Sequence, residues 1–137
     1  CLPLFGGMTL ALACYVILPT GLNLRPYYVP GSDIFARAVR FLYRTDTPIN
    51  VCPSIHVFNS VTLLLAYYRS RLFERPRLRW MRPAAAVLCG SIVCSTVLLK
   101  QHSCIDVALG AALAFALDAA ASSLERSGEM RRIPQRL

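Results

Sequence analysis

The sequence predicts an all-α protein built as a multi-spanning transmembrane helical bundle. Three observations carry that prediction. The composition is apolar, with 55% hydrophobic and 16% charged residues and a mean hydropathy of +0.48, against about 25% charged in an average soluble domain. Four apolar segments, Leu2 to Leu18, Ile55 to Tyr68, Ala84 to Leu99 and Ile105 to Leu124, are separated by polar links. The net charge of +8 is concentrated in those links, which follows membrane topology rather than a nucleic-acid-binding surface.

The first segment holds Cys1 at its head, so the 137 residues are expected to form one membrane-embedded unit lacking upstream sequence. No charged region precedes an apolar stretch in the manner of a signal peptide. A spanning helix needs about 20 residues. The second and third segments therefore borrow flanking residues to cross. The loop Arg69 to Pro83, "RSRLFERPRLRWMRP", carries six arginines and one glutamate, and the tail from residue 125 to 137 carries four arginines and two glutamates. Both are expected on the cytoplasmic side. The loop from Thr20 to Pro53 and the link Lys100 to Cys104 then face outward. Trp80, Tyr67 and Tyr68 suit an interfacial aromatic belt.

Within the outer loop, residues 32–44 read as an amphipathic helix. Ile34, Ala38 and Leu42 recur at helical spacing with Phe35 and Val39 beside them, Arg37, Arg40 and Arg44 take another face, and Ser32 or Asp33 can cap the start. The helix is expected either to lie on the membrane as a shelf for lipid headgroups or to serve as a connector packed on the bundle. In the last segment, Gly110 and Ala114 suit close helix packing, and Asp118 reads as an interfacial or inter-helix hydrogen-bonding residue. Cys52 and Cys104 each lie near a histidine; free thiols are the first reading and a disulfide the second.

The chemistry-bearing residues gather at the outer ends of the segments. Both histidines, His56 and His102, fall there with Arg25. His102 and Asp106 are four residues apart, so they share a helix face. The carboxylate is expected to accept the imidazole Nδ1–H and leave Nε2 free to attack. Pro53 is expected to open the second helix, placing Ser54 and His56 at a helix start that favours an anion. Lys100 adds a cation. Two histidines, one carboxylate and two cations suit phosphoryl transfer to a histidine. The rival, a facial triad of His56, His102 and Asp106 around a metal, is opposed by the neighbouring Arg25 and Lys100.

These residues resemble a known family. "PSIH" (Pro53 to His56) is similar to the P-S-G-H motif of the type 2 phosphatidic acid phosphatase and vanadium haloperoxidase superfamily. "STVLLKQHSCID" (Ser95 to Asp106) is similar to its S-R-x5-H-x3-D motif, and "LPTGLNLRP" (Leu18 to Pro26) to its K-x6-R-P motif. The resemblance implies a helical bundle of six spans in the intact protein, with four of them in this chain. It implies His102 as the nucleophile that forms a phosphohistidine, Asp106 as its orienting residue and His56 as the acid on the leaving alcohol. Arg25, Ser54 and Ser95 would contact the phosphate, and no metal or cofactor would be needed. Three positions depart from the motifs: Leu18 replaces the lysine, Ile55 the glycine and Thr96 the arginine. Lys100 would stand in for one lost cation.

Fewer cations suit a phosphodiester better than a monoester. The chain in that respect resembles the phosphotransferase branch that includes inositol phosphorylceramide and sphingomyelin synthases. The expected activity is hydrolysis of a phospholipid or isoprenoid-lipid phosphate at the outer leaflet, in an integral, multi-pass membrane protein. Two alternatives stand beside it: transfer of a phospho-headgroup to a lipid or sugar hydroxyl, and an inactive lipid-binding protein. The bilayer and the lipid are the expected partners, and nucleic acid is not.

Overall fold

The structure, a computed structural model, describes residues 2–46 and 48–132, with side chains described between residues 3 and 127 apart from Thr47. Five α-helices follow one another: α1 (Leu2–Ile17), α2 (Ile34–Thr45), α3 (Ile55–Arg69), α4 (Met81–Leu98) and α5 (Cys104–Arg132). A short 3-10 turn, Arg71–Glu74, lies between α3 and α4. Among the described residues there is no strand, only an isolated antiparallel bridge between Gly21 and Ile49.

Helix α3 is the hub. It packs against α4 on one side and α5 on another, and α1 closes against both α3 and α5. Phe58 is fully buried at this centre, with Val57 beside it. Gly7 of α1 makes the approach possible, because a Cβ there would meet the Phe58 ring at 2.0 Å and Leu117 at 2.8 Å. Ala114 of α5 is likewise fully buried, as its place in the small-residue stripe with Gly110 predicts.

Two helices are long and apolar enough to cross a membrane: Met81–Leu98 and Cys104–Ser127. Only 11% and 17% of their most apolar windows is buried within the molecule, so neither resembles the core helix of a soluble protein. Helix α1 has 16 residues and α3 has 15, below the length of a full span, so the structure supports two spans by length rather than the four expected. Phe5, Val16, Ile17, Val87, Leu98, Ile105, Phe115 and Leu124 all project outward, an apolar exterior that suits hydrocarbon better than water.

Several boundaries differ from expectation for local reasons. Helix α4 starts at Met81 rather than Ala84, because Pro83 is tolerated in a first turn. Helix α5 runs past Leu124 to Arg132, since nothing before Pro134 stops it. The first part of the basic tail is thus helical, and residues 133–137 lie outside the described residues. Pro53 does not open α3. Ser54 is its N-cap, in extended backbone, with its hydroxyl accepting from the Val57 amide. Helix α2 begins at Ile34 after Asp33, whose side chain makes no capping hydrogen bond.

Candidate active site

Three chain segments meet where α3 and α5 begin. The Gly21–Ile49 bridge pairs the stretch after α1 with the stretch before α3, supported by Leu22 N to Pro48 O at 3.0 Å and Cys52 N to Thr20 Oγ1 at 3.1 Å. Tyr15 Oη donates to Pro53 O at 2.6 Å. The start of α3 then sits directly on α5. Ser54 N donates to Asp106 O at 3.2 Å, and any Cβ at Gly110 would fall 2.6 Å from Ser54 O. Gly110 is required here for backbone approach.

The link between α4 and α5 is shaped by two terminal motifs. Lys100 adopts a left-handed φ of 53°, its amide donates to Val97 O at 2.9 Å, and Gln101 N donates to Thr96 O at 3.0 Å. These paired bonds are a Schellman stop, with lysine in the place glycine usually takes. Two residues later, Asp106 Oδ2 accepts from Ser103 N at 2.7 Å and Ser103 Oγ at 2.8 Å, and Asp106 N meets Ser103 Oγ at 3.3 Å. Ser103 and Asp106 thus form a reciprocal capping box. His102 is pinned between a helix stop and a helix start, its own amide donating to Thr96 O at 3.2 Å.

The two histidines come together across this corner. Their ring centroids are 5.7 Å apart, edge to face at 67°. His102 is buried and His56 exposed. His102 Nδ1 lies 2.9 Å from Val51 O. A carbonyl only accepts, so Nδ1 carries the proton and Nε2 keeps its lone pair. The expected acceptor, Asp106, does not fill this role, because its Oδ2 is engaged by Ser103. Burial, and then the charge of His56, push the His102 pKa below its ordinary value, outweighing the Val51 carbonyl and the Asp106 and Asp46 carboxylates that raise it. His102 is thereby held neutral near pH 7. The neighbouring Cys52 thiol is pushed up by burial first and by the Asp106 carboxylate second.

Arg25 is held at the edge of the corner by a partner that sequence reading did not single out. Its Nη2 lies 2.8 Å from Asp46 Oδ2, its Nη1 donates to Asp46 O, and its guanidinium sits 5.0 Å over the Tyr43 ring. The side chain is 11% exposed, and its Nε is buried without a partner among the described residues. The same Asp46 oxygen accepts from Gln101 Nε2 at 3.1 Å, and Tyr43 Oη donates to Leu99 O at 2.9 Å. The end of α2 is thus tied both to Arg25 and to the link that carries His102.

Of the residues expected at the site, the structure brings together His56, His102, Ser54 and Asp106, with Arg25 joined through Asp46 and Gln101. Ser54 is fully buried and engaged in capping. Lys100 is exposed. Ser95 donates to Ile92 O along its own helix at 2.8 Å. Among the described residues, no three His, Cys, Asp or Glu side chains converge as a metal-binding group, and Cys52 and Cys104 are free thiols. The Ser103–Asp106 spacing was legible as a capping signal. Val51, Asp46 and Gln101 carried none, because their partners are 21 to 55 residues away or supplied by backbone.

No curated protein and no solved structure matches the chain. The motif residues do fall within a single match to a known family, which runs over residues 1–126 and so takes in the whole corner just described. The chain belongs to the PAP2 superfamily.

Proposed function

We propose that the chain is a membrane lipid phosphatase that works through a phosphohistidine at His102. Members of the PAP2 superfamily are phosphatases or phosphotransferases, which supports an enzyme of this kind. The observation that carries the reading is the histidine pair, with His102 Nδ1 anchored on Val51 O at 2.9 Å and His56 facing it at 5.7 Å. A nucleophile needs a free lone pair, and an acid needs to stand on the leaving side.

In the first step, the Nε2 lone pair of His102 attacks phosphorus, a P–N bond forms and the P–O bond to the alcohol breaks. His56, protonated, delivers its proton to the departing oxygen. In the second step, His56, now neutral, takes a proton from water as that water attacks phosphorus. The P–N bond breaks, its electron pair returns to His102, and both histidines regain their starting states. Developing charge would meet the amides of Ile55 and His56, which open α3 and have no acceptor within the helix. Arg25 would add its buried Nε donor. Asp106 would act through the capping box and on the His102 charge rather than by holding Nδ1.

The same reading places α1, α3, α4 and α5 across a bilayer, with the site at the extracytoplasmic end. The arginine-rich loop at the far end of α3 and α4 supports this orientation. The deciding experiment uses the purified full-length protein in lipid nanodiscs. Wild type is expected to turn over a phosphorylated lipid and yield an acid-labile phosphohistidine, and His102→Ala is expected to lose both. Wild-type turnover by that variant would refute the assignment.

One observation favours phosphotransfer as a second reading. Arg25 is ion-paired with Asp46 and Lys100 is exposed, so the corner has little uncompensated positive charge for a phosphomonoester dianion. A phosphodiester, with one charge, suits it better. Comparing phosphatidate alone with a diester phospholipid plus a hydroxyl-bearing lipid separates the two, and it also tests the likeness to inositol phosphorylceramide synthases.

A further inference from the structure

Helix α2 divides into three sectors. At about 100° per residue, Ala36, Val39 and Tyr43 fall on one side. That side faces the protein, for Ala36 is buried and Tyr43 Oη reaches Leu99 O. Ile34 and Phe41 fall on the opposite side and are 76% and 69% exposed, and Phe35, 78% exposed, lies on the flank away from the arginines. Between these sectors runs a basic stripe of Arg37, Arg40 and Arg44, which lines a shallow depression with Phe41. Arg40 is tied to Val29 O at 3.0 Å and Gly31 O at 2.8 Å. Arg37 and Arg44 are exposed. The helix carries no acidic residue to offset the stripe.

We infer that α2 is a binding site for acidic phospholipids of the bilayer. Its outer apolar sector would sit among the upper acyl chains, with Arg37 and Arg44 on the headgroup phosphates. The occupant follows from two features together. A surface with large exposed aromatic and aliphatic side chains beside free arginines is complementary to a layer that is apolar below and anionic above. The helix also sits at the right level, since the Tyr43–Leu99 and Gln101–Asp46 contacts fix it at the end of α4, one of the two helices long enough to span a membrane. Exposed Tyr27 and Tyr28 stand at the same end, as interfacial aromatics do. The inference rests on the membrane-embedded reading but not on the histidine chemistry.

The test places full-length protein in nanodiscs of phosphatidylcholine, with or without phosphatidylglycerol. In a Trp80→Phe background, Phe41→Trp gives a fluorophore on the outer sector of α2. Its emission is expected to be quenched by lipids brominated in the upper acyl chain. Native mass spectrometry is expected to show phosphatidylglycerol retained over phosphatidylcholine. Arg37→Gln with Arg44→Gln should lower that retention by roughly fivefold per arginine, and Arg37→Lys with Arg44→Lys should restore most of it. Normal membrane insertion with an unquenched fluorophore, or retention unchanged in the glutamine variant, would overturn the α2 site alone. Extraction of the wild-type chain by alkaline carbonate would overturn it together with the membrane reading.

Discussion

Arg25 and Arg69 do opposite work at the two ends of this bundle. At the histidine end, Arg25 is nearly buried, with Asp46 at 2.8 Å on one side and the Tyr43 ring on another. At the far end, Arg69 is 46% exposed beside Asp118, while Arg82, 22% exposed, is tied to Tyr67, Tyr68 and Ser70 carbonyls much as Arg25 is tied to its own partners. A charge removed from water needs fixed partners, because losing one leaves the other stranded. A charge at the surface already has solvent, so its ion pairs add little. The Arg25 pair is therefore specific, and the Arg69–Asp118 pair is replaceable as long as the net charge of the loop persists.

The sharpest way to break that contrast is to disturb the backbone under the site. Gly110→Val drives a side chain into Ser54 O, already 2.6 Å from a bare Cβ position. Displacing the start of α3 by about 1 Å is expected to lower kcat about 10²-fold, read by lipid-phosphate turnover in nanodiscs. Wild-type activity would show that the α3–α5 seat does not position His56.

Asp46→Asn comes next. Removing the charge that holds Arg25 and receives Gln101 should raise KM about tenfold, with a smaller change in kcat. Asp46→Glu should recover part of the loss. Equal effects on both parameters would mean that the ion pair serves the fold alone.

Acidification has a milder, graded effect. His102 must be neutral to attack, and its pKa lies below the ordinary value of 6.5. The acid limb of turnover should therefore be centred below 6.5. An acid limb centred above 6.5 would contradict the burial of His102. The smallest effect belongs to the far end. Arg69→Gln removes an exposed pair with Asp118 and is expected to change stability by no more than about 1 kcal/mol, measured by thermal unfolding in detergent, with turnover unchanged.

The fold was legible where it depends on neighbours in sequence. The apolar runs place α1, α3 and α4 to within three residues and the start of α5 to within one, and the spacing of Ile34, Ala38 and Leu42 places α2. Helix ends were less legible. Proline is only one of several ways to begin a helix, and Ser54, one residue later, has the better capping side chain. Helices α1 and α3, with 16 and 15 residues, are shorter than a full span, since hydropathy counts apolar residues but not where hydrogen bonding begins and stops.

The candidate site divides along the same line. Sequence alone determined that His56, His102 and Asp106 stand at the ends of apolar segments, and that Ser103 and Asp106 carry the spacing of a capping box. Both are local facts of order and period. Only the tertiary structure decided that Val51 O holds His102 Nδ1, that Asp46 holds Arg25 and that Gly110 admits Ser54. A backbone carbonyl has no identity in the sequence, and a partner 21 or 51 residues away becomes a neighbour only once the helices have packed.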